Sequence, residues 1–211
     1  MLITFEGTDG AGKTTQIRML EAHLRATGRE VLVTREPGGT EFGEEVRNIL
    51  KHAPYGARLS MEAELLLFLA ARTQLVNEVI MPALDRGVTV LCDRFTDSSV
   101  AYQGAGRGLN ERFIREANAF ATGGLTPRRT YLLDLPAEVG LARARGRSQA
   151  GPADRMEGME KDFYTRVADC YRRLSATEPD RIRIVDASRA PEAVFADILD
   201  DDIFRPKPPV P

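Results

Sequence analysis

The run Gly7-Thr8-Asp9-Gly10-Ala11-Gly12-Lys13-Thr14 constrains this chain more than any other feature. It fits G-x-x-x-x-G-K-[ST] without a mismatch, a pattern that requires a buried strand, a glycine-rich turn and the start of a helix. Both flanks agree. Leu2-Ile3-Thr4-Phe5 reads as a short buried strand, and Ile17, Leu20 and Leu24 fall at helical spacing. In such a loop the backbone N–H groups curl around phosphate oxygens and the helix N-terminus adds partial positive charge. Lys13 is expected to reach the β- and γ-phosphates of a nucleotide, and the Thr14 hydroxyl to ligate Mg²⁺.

The rest of the chain repeats this alternation. Val31-Leu32-Val33-Thr34, Val88-Thr89-Val90-Leu91-Cys92, Thr130-Tyr131-Leu132-Leu133 and Ile182-Arg183-Ile184-Val185 are further strand candidates. They are separated by helical patterns, the longest over about 43–85. Strands alternating with helices predict βαβ units and a five-stranded parallel sheet with helices on both faces. A length of 211 residues predicts one domain, large enough to bury a core without staples. At 43% hydrophobic and 28% charged residues, disorder is excluded as the main state. Cys92 and Cys170 are the only cysteines, and His23 and His52 the only histidines, so neither a disulfide framework nor a zinc cluster is expected. Lys plus Arg is 29 against 31 for Asp plus Glu, a net charge of −2 that argues against a nucleic-acid partner. The longest apolar run, 65–71, is closed by Arg72 and is far shorter than a membrane span. No basic segment precedes the first strand, so a soluble cytoplasmic protein is expected. Residues 147–158, with Gly151-Pro152 and several charges, read as a loop, and the proline-rich 205–211 as a disordered tail.

The third strand ends Asp93-Arg94. Asp93 suits the Mg²⁺ side of a nucleotide site. Arg94, where a second acid would serve a hydrolase, cannot accept a proton from water. A cation there points to an acceptor that is itself an anion, such as a phosphate group; the alternative is an ion pair with a nearby acid. A phosphate acceptor is largely ionised near neutral pH, so transfer to it needs positioning and charge neutralisation rather than a strong base. Arg143, Arg145, Arg147 and Arg155 crowd one segment around the Gly-Pro loop, which suggests a closing lid at about 143–158 that excludes water.

Taken together, several separated motifs resemble those of thymidylate kinases of bacterial type. They are the loop 7–15, Thr34-Arg35-Glu36-Pro37-Gly38-Gly39-Thr40, Phe68-Leu69-Ala70-Ala71-Arg72, Asp93-Arg94-Phe95, Ala101-Tyr102-Gln103-Gly104 and Asp186-Ala187-Ser188. The resemblance covers the chain to about residue 199. It implies that Phe68 stacks on thymine, that Arg72 donates to the base O4, and that Ser99, with Ser98 beside it, faces the base edge. Tyr102 would crowd the sugar 2′ position and Gln103 border the base pocket. Arg94 would clamp the acceptor phosphate, with Arg35 or Arg47 as a second cation near Pro37. It also implies that Asp9 contacts the sugar 3′-hydroxyl, which would compensate a carboxylate placed beside a triphosphate; the alternative is that Asp9 points to solvent. Glu36-Pro37 is a candidate cis peptide. Gly7 to Thr15, Arg145, Asp186 and Ala187 would hold ATP, the last two mainly through backbone groups. The phosphate loop carries no arginine, so the resemblance implies that the lid supplies the catalytic cation: Arg147 first, with Arg145 and Arg155 behind it.

The expectation is therefore a P-loop NTPase fold with a helical lid, a single kinase domain over 1–204. The expected reaction is Mg²⁺-dependent transfer of the ATP γ-phosphate to dTMP, giving dTDP and ADP, by a homodimer. Another nucleoside-monophosphate kinase or a deoxynucleoside kinase is the alternative enzyme. A GTPase-like switch is disfavoured because no Asn/Thr-Lys-x-Asp guanine-reading motif occurs. A DNA-stimulated ATPase is disfavoured by the balanced charge and by Asp93-Arg94.

Overall fold

Five strands, β1 Leu2–Glu6, β2 Val31–Arg35, β3 Thr89–Asp93, β4 Arg129–Asp134 and β5 Ile182–Asp186, form one parallel sheet in the order β2-β3-β1-β4-β5. These are the five expected strands, each extended by one or two residues or shifted by one. The computed structural model describes residues 1–53, 58–136, 138–140, 142–143 and 161–204. Most of the expected lid and the 205–211 tail lie outside the described residues.

The burial pattern follows from strand order. The central strands β1, β3 and β4 are buried along almost their whole length. The edge strands β2 and β5 mix buried, half-buried and exposed positions, as strands covered less completely must. One face is covered by α1 Lys13–Ala26 and α8 Pro191–Leu199, whose Ile17, Leu20, Val194 and Ile198 pack on Phe5, Leu91, Tyr131 and Val185. The other face takes α3 Met61–Leu75, α4 Met81–Asp85, α6 Glu111–Thr122 and α7 Lys161–Thr177. Helix α2 Glu41–His52 packs on α3 through Val46 and Leu50. Thr40, Ser60 and Asn110 cap α2, α3 and α6, each accepting an N–H from the third residue on.

The expected helical stretch over 43–85 is helical in two pieces, and α3 continues through a π-helical turn, Val76–Ile80, into α4. By length and composition this 25-residue run, Met61–Asp85, which contains an 18-residue window with a mean hydropathy of 1.3, is apolar enough to cross a membrane. It is instead tied into the fold. Leu65, Leu69, Leu75 and Ile80 pack into the cores, and its Glu64 and Arg72 are buried in ion pairs. A second π-helical turn, Val100–Gly106, follows the short α5 Thr96–Ser99. Both wide turns escape the sequence reading, because a π turn carries no periodicity of its own in five to seven residues.

Candidate active site

The carboxyl ends of β1, β2 and β3 meet on one edge of the sheet, and the loops that leave them enclose a cavity open to solvent. This is where open α/β sheets place ligands.

The loop after β1 forms its first wall through Asp9, Gly10, Gly12, Lys13 and Thr14. Gly10 has φ +81°, and a Cβ on it would stand 2.1 Å from the Gly140 carbonyl oxygen, so only glycine lets the loop close against that segment. Lys13 folds back over the loop, its Nζ donating to the carbonyls of Gly7 at 3.2 Å and Thr8 at 3.0 Å. Burial, with the Arg94 charge added, pushes its pKa down to about 8. The Thr14 hydroxyl donates to Asp93 Oδ2 at 3.3 Å, so the two expected metal-side oxygens are neighbours.

Arg94 stands at φ +70° and is the one non-glycine residue at positive φ among those described. A side chain in that region costs about 1 kcal/mol, a strain the surrounding contacts must hold. The turn sends the guanidinium back over the phosphate loop. Nη1 donates to Gly7 O at 3.0 Å, and Nη2 to Asp9 Oδ1 at 2.7 Å and the Tyr102 hydroxyl at 3.0 Å. The guanidinium also lies 4.8 Å over the Tyr102 ring. Asp9 is thus compensated from within the protein. Burial alone would raise its pKa, but Arg94 and Lys13 outweigh that and hold the carboxyl below its usual range.

Beneath Arg94 lies a group that sequence reasoning missed. Glu6, fully buried at the end of β1, accepts the Phe95 N–H at 2.7 Å on Oε1. On Oε2 it accepts the Ser98 hydroxyl at 2.6 Å and the Tyr171 hydroxyl at 2.7 Å. Those hydroxyls in turn accept from Arg94 Nη1 at 3.2 and 3.4 Å. Burial, then the Asp97 charge, pushes Glu6 up to about 7.

Arg35, Pro37, Arg47 and Lys51 form the second wall. The Glu36–Pro37 bond is cis, as the sequence suggested. Arg35 Nη2 donates to both Glu44 oxygens at 2.9 Å, and Arg47 Nη1 to the Pro37 carbonyl at 2.9 Å. Lys51 is a cation the sequence reading did not single out.

Phe68, Ser98, Ser99, Tyr102 and Gln103 close the far end. The π-helical turn puts the adjacent Tyr102 and Gln103 on the same wall as Ser98 and Ser99. Arg72 does not line this cavity. It is 1% exposed, and its Nε and Nη2 donate to Glu36, Nη1 to Ser99 Oγ and Asn118 Oδ1, and Nη2 also to Phe95 O. All five of its N–H groups are thereby engaged, and the expected contact with a base requires one to be given up.

Asp186 and Ala187 lie at the end of β5, outside this cavity. Asp186 accepts the N–H and hydroxyl of Ser188, and the Ala187 carbonyl accepts from Arg143 Nη1 at 3.1 Å. In the loop, Ala11 and Thr8 are buried, the Thr8 Oγ1 without a hydrogen-bond partner among the described residues, and Thr15 is exposed on α1. Arg145, Arg147 and Arg155 lie outside the described residues.

Comparison with known proteins agrees with this geometry. The family model described as thymidylate kinase matches residues 5–198. A thymidylate kinase of Thermomicrobium roseum is 52% identical over 192 residues, covering 91% of this chain and 89% of the relative. One of Desulfovibrio desulfuricans is 49% identical over 198 residues, covering 92% and 91%. A thymidylate kinase of Trichlorobacter lovleyi is 46% identical, with both chains covered completely. The crystal structure of thymidylate kinase from Ehrlichia chaffeensis superposes with a TM-score of 0.77 at 32% identity, covering 94% of this chain and 96% of that one. The family model and these relatives cover nearly the whole length, and the chain belongs to the thymidylate kinase family.

Proposed function

We propose that the cavity seats dTMP end to end with ATP and transfers the γ-phosphate between them, giving dTDP and ADP for dTTP synthesis. The observation that carries this reading is the Arg94 guanidinium, anchored at once on the Gly7 carbonyl, Asp9 and Tyr102 between the phosphate loop and the Phe68 end of the cavity. From there it grips an acceptor phosphate, with Arg35 or Arg47 supporting it from the second wall. Asp9 faces the acceptor sugar, Tyr102 crowds its 2′ side, and Phe68 stacks on the base with Ser99 and Gln103 at its edge. Lys13 leaves the Gly7 and Thr8 carbonyls to meet the ATP phosphates, whose charge favours its protonated form. The acceptor phosphate brings its own ionised oxygen, so none of these residues has to act as a strong base.

Thr14 and Asp93 fit Mg²⁺, since hard oxygen donors suit it and it normally keeps waters and substrate oxygens in the remaining places. When bound, the ion neutralises charge on the transferring phosphate. Arg145 and the backbone at Asp186 and Ala187 complete the ATP site, and Arg147 enters from the lid at about 143–158.

The protein works as a cytoplasmic homodimer without nucleic-acid or membrane partners. Exposed Phe42, Met61, Leu66 and Met81 on α2 to α4 support an interface there, which light scattering tests. The function itself is tested by ADP release with dTMP, dCMP and AMP as acceptors and Mg²⁺ supplied. Turnover is expected to depend on dTMP. Binding of ATP without dTMP-dependent turnover overturns the reading.

A further inference from the structure

Three residues of α3, Glu64, Phe68 and Arg72, are four apart and share one helical face. Phe68 lines the cavity, whereas Glu64 and Arg72 are each 1% exposed and do not. Glu64 acts on the cavity through Gln103. Its Oε1 accepts Gln103 Nε2–H at 3.0 Å, and its Oε2 accepts Arg107 Nη2–H at 2.9 Å in an ion pair. A carboxylate held by an arginine only accepts, so it decides which end of the Gln103 carboxamide faces it. The Gln103 backbone is fixed as well, its carbonyl accepting the Leu109 N–H at 3.1 Å. One amide N–H is held by Glu64, and Oε1 has no hydrogen-bond partner among the described residues while Gln103 itself lines the cavity.

We propose that Glu64 is a specificity-positioning residue, which presents the Gln103 carboxamide oxygen to the base as an acceptor for an imide N3–H. The acceptor class is then a monophosphate of a pyrimidine with a protonated N3, thymine or uracil. Cytosine offers a lone pair at N3, which meets the Gln103 oxygen lone pair to lone pair and is rejected. With every Arg72 N–H already engaged, this pairing reads the base edge without requiring Arg72 to leave Glu36.

The inference rests on the thymidylate reading of the cavity, and Glu64→Gln tests it separately. A glutamine at this position either accepts or donates, so the Gln103 amide is free to turn over. The expected result is a KM for dTMP raised about tenfold, a dTMP-over-dCMP ratio in kcat/KM reduced by a similar factor, and an unchanged KM for ATP. An unchanged ratio in folded Glu64→Gln overturns the inference and leaves the thymidylate reading standing. Absence of dTMP turnover in the unaltered protein overturns that reading instead. Should Glu64→Gln fail to fold, dTMP labelled with ¹⁵N at N3 decides by NMR on the unaltered protein. An imino proton protected from exchange there and lost in Gln103→Leu supports the pairing; a freely exchanging one in the unaltered protein overturns it.

Discussion

Arg94 shows how much one side chain is asked to do in this molecule. Its backbone is held in the left-handed region, and its guanidinium is shared among Gly7, Asp9, Tyr102, Ser98 and Tyr171. The carboxylate that organises the hydroxyls around it is Glu6, and Glu6 has a measurable signature. Its native pKa of about 7 lies above the ordinary carboxylate value of 4.5. Between pH 4.5 and 7 the native state therefore holds a proton that the unfolded chain has lost. Stability contributed through this group is fully present below about 4.5 and is lost as pH rises through about 7, by up to a few kcal/mol. Glu6→Gln, which cannot ionise, is expected to flatten that part of the profile. Urea midpoints at pH 5 and pH 8 check it, and an equal pH dependence in both proteins would mean that Glu6 is already ionised at pH 5.

At the scale of elements, α3 joins fold and site, because its Leu65, Leu69 and Leu75 fill the cores while Phe68 faces the cavity. Phe68→Ala is expected to weaken dTMP binding at least tenfold while ATP binding changes less than twofold, since aromatic stacking on a base is worth about 1–3 kcal/mol. Calorimetry with each nucleotide decides, and equal losses would assign Phe68 to packing alone. The strands and the phosphate loop were legible because their signal is local: β-branched runs bounded by turns, and glycines at fixed spacing. The Asp93-Arg94 pair was legible because it terminates such a strand. Glu6, Glu64 and Tyr171 were not, since a carboxylate or phenol shows its partner only when distant segments meet. Tyr171 is 165 residues from Glu6, and Gln103 is 39 from Glu64. The spacing of Glu64, Phe68 and Arg72 along one helical face was the one signal for Glu64 available in the sequence, and it is equally the spacing of an ordinary core stripe.

Across the whole molecule, a chain with a net charge of −2 has to bring two polyanionic nucleotides together, so the sign of the field must invert locally. The sheet order does this by gathering Lys13, Arg35, Arg47, Lys51 and Arg94 from the ends of β1, β2 and β3 and from α2 around one cavity. In the ground state Arg94 rests on Asp9, Arg35 on Glu44, Arg47 on the Pro37 carbonyl and Lys13 on loop carbonyls. Cations held this way grip substrates before reaction as firmly as during it, and such uniform binding does not raise kcat. Acceleration falls to a cation that engages only when the site closes, which is the role proposed for Arg147 in the lid. Arg147→Ala is accordingly expected to lower kcat about 10³-fold or more while the affinities for ATP and dTMP change little. Single-turnover rates with both nucleotides prebound check this, because they isolate the chemical step from binding and release. An unchanged rate would move the role to Arg145 or Arg155, and a rise in KM without loss of kcat would make Arg147 one more ground-state grip.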